Sequence, residues 1–275
     1  MRYVSAPAHG PSRIDPCPRS LVEGRFTVRL ARDHRDLLAA QRLRYQVFIA
    51  EMGGTGPLVD HEDRLERDAL DEVCDHLLLI DEQCDPDAGA HVIGAYRLLP
   101  DTRLVDSGQF YCDGEFDLGP LRQSGRRLLE LGRSCIHSAH RGGVGMLQIW
   151  QALAAYVHAR EIEILFGAAS FRGTDPTRWA QPLSWLHHHH LASEALRVRS
   201  RAPAEGYLLP PDALDRRAAL SQMPSLIKAY LRLGGMVGEG VFVDHAFRTT
   251  DVCIILDTRS MPQQARTFTA RGFAG

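Results

Sequence analysis

The sequence predicts an α/β fold, a mixed and mostly antiparallel sheet flanked by helices. Three observations carry that prediction. Phe26, Val28 and Leu30 alternate with Thr27 and Arg29, the period-2 pattern of a half-buried strand. Short apolar runs such as His76–Ile80 and Val92–Leu99, bounded by turn residues, read as buried strands. Residues 127–169 read as strand, glycine-containing turn, helix and strand, the order of a β-α-β unit.

The elements follow in order. Residues 1–20 carry Pro7, Pro11, Pro16 and Pro18 with little to bury, and are expected to be a disordered leader. Asp33 is a candidate N-cap for a helix running to about Met52, where Gly53 and Gly54 stop it. Leu37, Leu38, Val47 and Phe48 supply part of its buried face. Asp81 to Gly89 has the Asp-Pro and Gly content of a hairpin connection between the two buried strands. Residues 101–125 read as irregular. Arg127–Ile136 is the next strand, His137–Gly145 a turn, and Val144 to Arg160 a helix leading to a strand over Ile162–Ala169. Helices around Leu183–His190 and Pro224–Leu233 flank a Pro-rich connection from Arg201 to Pro211. Strands near Val241–Val243 and Val252–Leu256 end the fold, and residues 260–275 read as a polar tail. Residues 21–259 are expected to form one domain, in which the part after about residue 177 extends the same fold.

Composition narrows the function classes. The chain has 275 residues, 44% hydrophobic and 24% charged, which is ordinary for a globular protein. Acids and bases nearly balance at a formal charge of -2, so bulk electrostatics give no reason to expect nucleic-acid binding. Lys228 is the single lysine beside thirty-one arginines, and arginine suits planar recognition of carboxylate and phosphate. Six cysteines without a C-x-x-C pair read as reduced thiols in a cytoplasmic protein. No secretory apolar region opens the chain, and no apolar run approaches the ~18 residues of a bilayer span.

Two constellations could carry chemistry. The turn His140-Arg-Gly-Gly-Val-Gly145 joins a strand to a helix, where glycines admit a ligand close to the backbone and the first-turn N–H groups suit a phosphate. A tight turn that merely needs positive φ explains the same glycines equally well. The second constellation is charged: Arg44, Glu66, Asp68, Asp71, Arg97, Glu130 and Arg133 recur in order through the first half of the chain. Gathered at one site, such carboxylates and guanidiniums hold one another charged and fix geometry through paired hydrogen bonds. A structural salt-bridge network for Asp71 with Arg97, and a solvated helix face for Glu66 and Asp68, are the bland alternatives.

Strand, glycine turn and helix together resemble the acyl-CoA-binding turn of the GNAT N-acyltransferase superfamily. With Gly143 and Gly145 in the family's glycine positions, His140 takes the first position; with Arg141 first, the loop is one residue short. That departure suits a donor with one phosphate, such as phosphopantetheine on a carrier protein. The order Leu43-Arg-Tyr-Gln-Val-Phe48, Glu66-Arg-Asp68-Ala-Leu-Asp71, Gly94-Ala-Tyr-Arg97 and Glu130-Leu-Gly-Arg133 is similar to the acyl-homoserine-lactone synthase branch. Four further blocks, beginning at Glu130, Phe166, Pro224 and Phe247, resemble ornithine N-acyltransferases, and the likeness runs from about Phe26 to Leu256.

The resemblance implies a GNAT-like fold with a V-shaped opening beside the central strand. It implies transfer of a 3-hydroxyacyl group from acyl carrier protein to the α-amine of ornithine, giving lyso-ornithine lipid. The donor is then acyl-phosphopantetheine, with no permanently bound cofactor and no metal. Arg44, Phe48, Glu66, Asp68, Asp71, Arg97, Glu130 and Arg133 become the functional candidates by the match, and His140, Arg141, Gly142, Gly143, Gly145, Cys135, Ile136 and His137 the donor-side ones. An amine protonated at neutral pH needs a base before it attacks a thioester, and Glu130 leads Asp68 for that role. Arg133 or Arg97 would hold the acceptor carboxylate, and an acidic residue should meet its δ-ammonium. A strand N–H near Cys135–His137 would stabilise the oxyanion. An acidic carrier calls for a positive patch, taken as Arg141 with Arg25 to Arg35. The lipid product implies a peripheral visit to the inner membrane.

Rival readings remain open on sequence: a lactone synthase, an N-acyltransferase for another amino acid, or a noncatalytic acyl-binding regulatory module. Three features are discounted. His187–His190 point in different directions around a helix and cannot share one metal. Cys135 has no activating histidine pair evident, and direct amine attack needs no thiol nucleophile. The aliphatic residues of 146–157 read as core.

Overall fold

β1 (Phe26–Leu30) pairs antiparallel with β2 (Asp75–Asp81), and β2 with β3 (Val92–Pro100). Between β1 and β2 lies α1 (His34–Arg44), continued by a π-helix over Tyr45–Glu51. After β3 come α2 (Leu104–Ser107), β4 (Phe116–Asp117), α3 (Gly119–Gln123) and β5 (Leu128–Ile136), which is antiparallel to β3. α4 (Gly145–Ala159) crosses over to β6 (Ile164–Arg172), parallel to β5. Then follow α5 (Ala180–His189), β7 (Arg199–Ser200), α6 (Arg216–Gln222), α7 (Ser225–Arg232), β8 (Met236–Val237), β9 (Phe242–Asp244) and β10 (Thr249–Asp257). The main sheet runs β1-β2-β3-β5-β6-β10-β8, with β9 also on β10, while β4 and β7 form a separate ribbon. The architecture is the GNAT-like one, mixed and mostly antiparallel. The computed structural model describes residues 25–56, 59–86, 89–142 and 145–261, and of Asp106 and Ser107 the backbone alone. The expected leader, Gly143, Val144 and the tail beyond residue 261 lie outside the described residues.

Local chemistry explains most boundaries. Asp33 is extended, and its side chain accepts the N–H of Asp36 at 3.0 Å, capping α1. The helix ends at Gly53, which adopts φ +75. Its second half differs from the expected plain α-helix, because Tyr45–Glu51 winds with the wider π spacing. β2 alternates cleanly. Leu77 and Leu79 face the core built with α4, while Leu78 and Ile80 face α1 with Ala39, Ala40 and Leu43. Both faces are therefore covered, and each fully buried leucine contributes roughly 1.5–3 kcal/mol. The segment expected to be irregular, 101–125, instead carries short helices and buries Phe110, Phe116, Leu118 and Leu121 completely. His187–His190 close α5, where His187 and His190 are half-buried and His188 donates from Nε2 to the Leu209 carbonyl at 2.9 Å.

The feature that makes a site is the parting of β5 and β6. They pair only from Leu128↔Ile164 to Glu130↔Phe166, although both strands continue. On its other edge β5 bulges. Ala95 and Arg97 of β3 face Cys135 and Gly132, so β5 holds one extra residue there, and Arg133 takes φ +53. At the fork, a Cβ on Gly167 would lie 2.2 Å from the Leu131 carbonyl oxygen, an approach open only to glycine.

A candidate active site at the fork between two strands

The fork opens into a cavity of about 500 Å³. Arg97, Glu130, Arg133, Cys135 and Ile136 line it, and so do Arg141 and Gly142 of the glycine turn. Phe48, delivered by the π-helix, and Phe247 also reach it, their rings edge to face at 6.2 Å. Arg44, Glu66, Asp68 and Asp71 are not among its lining residues but stand behind it as a charged layer.

That layer is closely cross-linked. Arg44, 1% exposed, pairs with Glu66 through Nε and with Asp71 through Nη1 at 2.7 Å. Asp71 also accepts Gln41 Nε2 at 2.9 Å and Arg97 Nη1 at 3.0 Å. Arg97 donates to Asp68 at 2.6 Å, and Arg133 joins Glu66 and Asp68, each at 3.1 Å. Burial alone would push the Asp68 carboxyl up, but Arg97 and Arg133 hold it below the usual carboxylate range. Asp71, likewise buried, is held well below that range by Arg44 and Arg97. The bulge aims Arg133 between the rings of Tyr111 and Phe247, each 4.6 Å from its guanidinium carbon.

Glu130 is different. Its oxygens accept backbone N–H groups, from Tyr111 at 2.8 Å and Cys112 at 2.7 Å. Burial outweighs those bonds and raises its pKa. The segment that fixes Glu130 was legible only as an irregular stretch.

On the donor side, Gly142 adopts φ +79, and a Cβ on Gly145 would lie 2.7 Å from Leu79 Cδ2, so α4 packs tightly on β2. Arg141 donates to the Ile136 carbonyl at 3.0 Å and pairs with Glu51 at 2.7 Å. His140 packs edge-on to Phe26 and beside His137, and neither histidine is a cavity-lining residue. Two expectations change. The N–H of His137 donates to the Ile93 carbonyl at 2.8 Å and cannot serve an oxyanion; by strand alternation that of Ile136 faces the opposite edge. The expected patch is partly neutralised, since Arg25 pairs with Asp81, Arg29 with Asp36, and Arg141 with Glu51. Cys135 is a buried free thiol whose pKa burial pushes up to about 12, so it offers almost no thiolate.

Sequence reasoning missed a second set of acids. Glu115, Asp244 and Asp251, all buried, present carboxylate oxygens within 4.8 Å of one another, and the two aspartates line the same cavity. Asp251 had one local signal, a carboxylate inside the otherwise apolar strand run Val252–Leu256 and its preceding threonines. Glu115 and Asp244 had none.

The acetyltransferase (GNAT) domain family matches residues 43–151. An N-acyl amino acid synthase from uncultured soil microbes shares the fold at a TM-score of 0.53 and 12% identity, over 88% of this chain and 98% of that one. An L-ornithine N(alpha)-acyltransferase of Rhodobacter capsulatus is 58% identical over 91% of this chain and 96% of its own length. One of Agrobacterium fabrum is 42% identical over 86% of this chain and 83% of its own. With that identity maintained along nearly the whole chain, and the fork of a GNAT sheet at its centre, the chain belongs to the L-ornithine N(alpha)-acyltransferase family.

Proposed function

We propose that the chain transfers a 3-hydroxy fatty acyl group from the phosphopantetheine thioester of an acyl carrier protein to the α-amine of ornithine, giving a lyso-ornithine lipid. The observation that carries the reading is the single cavity linking the glycine turn with Glu130, Arg97 and Arg133. The names of the relatives supply the acceptor.

Glu130 is the base. It lines the cavity, and its raised pKa brings it nearer to that of an ammonium proton donor. Asp68 is the weaker candidate, because two guanidiniums hold its carboxylate in the ionised, poorly basic form. The freed amine attacks the thioester carbonyl, and the N–H of Ile136 meets the developing oxyanion. The C–N bond forms, the C–S bond breaks, and the carrier thiolate leaves and takes a proton. Arg133, whose Nε and Nη2 are committed to Glu66 and Asp68, keeps Nη1 for the acceptor carboxylate. Arg44, Glu66 and Asp71 act as positioning residues through Arg97 and Arg133. The first-turn N–H groups of α4, beside His140, Arg141, Gly142 and Gly145, suit the one phosphate of the donor, while Cys135 and Ile136, which line the cavity, flank the pantetheine arm. Among the described residues no helix is long and apolar enough to cross a membrane, and a peripheral visit delivers the lipid product.

The test supplies 3-hydroxyacyl carrier protein or the matching acyl-CoA with ornithine, S-adenosylmethionine or a panel of amino acids, and reads products by mass spectrometry. Acyl-ornithine from the carrier-protein donor supports the reading. Product from acyl-CoA alone removes the carrier protein, and a lactone from S-adenosylmethionine removes ornithine.

A further inference from the structure

We infer that Glu115, Asp244 and Asp251 form the subsite for the side-chain ammonium of the acceptor, so that this buried cluster selects a dibasic amino acid. The inference rests on the proposed transfer to ornithine and names the residues that would read its cationic end.

Three carboxylates within 4.8 Å are unfavourable without a cation among them. Arg133 acts on Glu115 and Asp251 as a charge of opposite sign, yet its ion pairs are with Glu66 and Asp68. Two oxygens of the cluster, Glu115 Oε2 and Asp251 Oδ1, are fully buried and have no hydrogen-bond partner, on residues only 4% and 3% exposed. A buried acceptor left unmet is costly and calls for a donor that arrives from outside. Asp244 Oδ2 has only the Tyr111 hydroxyl, at 3.4 Å. The cluster therefore offers two unpartnered oxygens and a third, on Asp244, held only by that long hydroxyl bond, and an ammonium has three N–H donors.

The remaining oxygens set the orientation. Asp244 Oδ1 accepts the N–H groups of Ala246 at 2.7 Å and Phe247 at 2.9 Å, and Asp251 Oδ2 accepts the Thr249 hydroxyl at 3.1 Å. Each aspartate thus turns a single oxygen inward. A Ca²⁺ ion takes roughly six to eight oxygen ligands, so three inward carboxylate oxygens would leave most of its shell to water. Charge points the same way. Burial, with Asp251 and Asp244 beside it, pushes the Glu115 carboxyl up to about 9, and burial raises Asp251 to about 6. Near neutrality the empty cluster therefore retains a proton, chiefly on Glu115, that a bound ammonium would displace.

Position joins the subsite to the chemistry. Asp244 and Asp251 line the cavity that holds Glu130 and Arg133, and Phe247, three residues from Asp244, stacks on Arg133. An amino acid with its carboxylate on Arg133 and its tail among the three acids presents its α-amine to the same space as Glu130.

The test compares ornithine with norvaline, the same carbon skeleton without the ammonium, at saturating acyl carrier protein. The wild-type protein should prefer ornithine by about 10^4-fold in kcat/KM, the scale seen when a buried polar site loses its partner. Asp251→Asn and Glu115→Gln should raise KM for ornithine by about 100-fold, change kcat far less, and shrink the ornithine preference by the same factor. Equal use of ornithine and norvaline by the wild type overturns the inference and leaves acyl transfer intact, whereas acylation of neither overturns the transfer itself. Since the wild-type comparison needs no variant, misfolding of a substituted protein does not shield the idea. Stoichiometric retention of Mg²⁺, Mn²⁺ or Ca²⁺ on equilibrium dialysis, lost in Asp251→Asn, also overturns it in favour of a metal site.

Discussion

Glu130→Gln separates proton transfer from shape. The Glu130 oxygens accept the N–H groups of Tyr111 at 2.8 Å and Cys112 at 2.7 Å, and glutamine has one acceptor oxygen to offer the pair. One buried N–H is then left facing an NH2, at about 1–3 kcal/mol. Against a typical margin of about 5–15 kcal/mol the fold survives, with Tm lowered by roughly 2–4 °C per kcal/mol. Loss of the base is a different magnitude, about 10^2- to 10^4-fold in turnover near neutrality. The two effects also differ in pH dependence. In the wild type, activity rises as Glu130 ionises, and burial moves that limb above the ordinary glutamate range. In the variant the limb is gone, and only acceptor that arrives already deprotonated reacts, a fraction that grows about tenfold per pH unit below the amine's pKa. The wild-type to variant ratio in kcat/KM for ornithine should therefore fall steadily between about pH 6 and about pH 9. A ratio constant across that range, or near-normal turnover throughout it, refutes Glu130 as the base, and a parallel thermal melt shows how much of any loss is folding.

Asp71→Asn weakens the counter-charge of two buried guanidiniums, Arg44 and Arg97, and should cost about 3–5 kcal/mol in urea unfolding at neutral pH. Because the folded Asp71 pKa lies below the unfolded value near about 4, its stabilisation is present above that pH and lost as pH falls; the gap between wild type and variant should narrow in acid. Arg141→Glu sets a like charge against Glu51, now paired at 2.7 Å, and should raise KM for the acylated carrier several-fold in low salt; unchanged donor kinetics remove Arg141 from the docking face. Cys135→Ala should keep turnover within about threefold, since a thiol raised to about 12 is not a nucleophile near neutrality, and an abolished activity would point to a covalent acyl-enzyme.

What was legible in the sequence was whatever a local window controls. The alternation in β1, the apolar run of β2, the Asp33 cap, the Gly53 stop and the glycine turn before α4 each depend on residues within one or two turns of chain. The charged candidates were legible through motif order, and the fold brings Arg44, Glu66, Asp68, Asp71, Arg97 and Arg133 into one connected layer. The fork was not legible. It depends on a bulge at Arg133 and on how near Gly167 comes to Leu131, and both are defined by partner strands distant in sequence. The acidic cluster is the extreme case, because Glu115 precedes a two-residue strand, Asp244 ends a three-residue one and Asp251 lies on β10. Short elements carry no periodicity, so only long-range pairing brings those acids together.

The same burial has opposite consequences for the acids of this site, and that difference assigns their work. Asp68, half-buried, and Asp71, buried, stand beside guanidiniums, so their charge is fixed and their protons are gone at any working pH. Such groups hold geometry but accept protons poorly. Glu130, Glu115 and Asp251 are buried with too little positive charge to offset desolvation, so their pKa values rise. In the proposed reaction one of them takes the proton of the amine, and two offer unmet oxygens to a cation. Binding of a dibasic acceptor should then release protons from the cluster at pH below about 9, which calorimetry in buffers of different ionisation enthalpy measures directly. Because the released proton comes chiefly from Glu115 rather than from Glu130, the release should persist in Glu130→Gln measured without acyl donor.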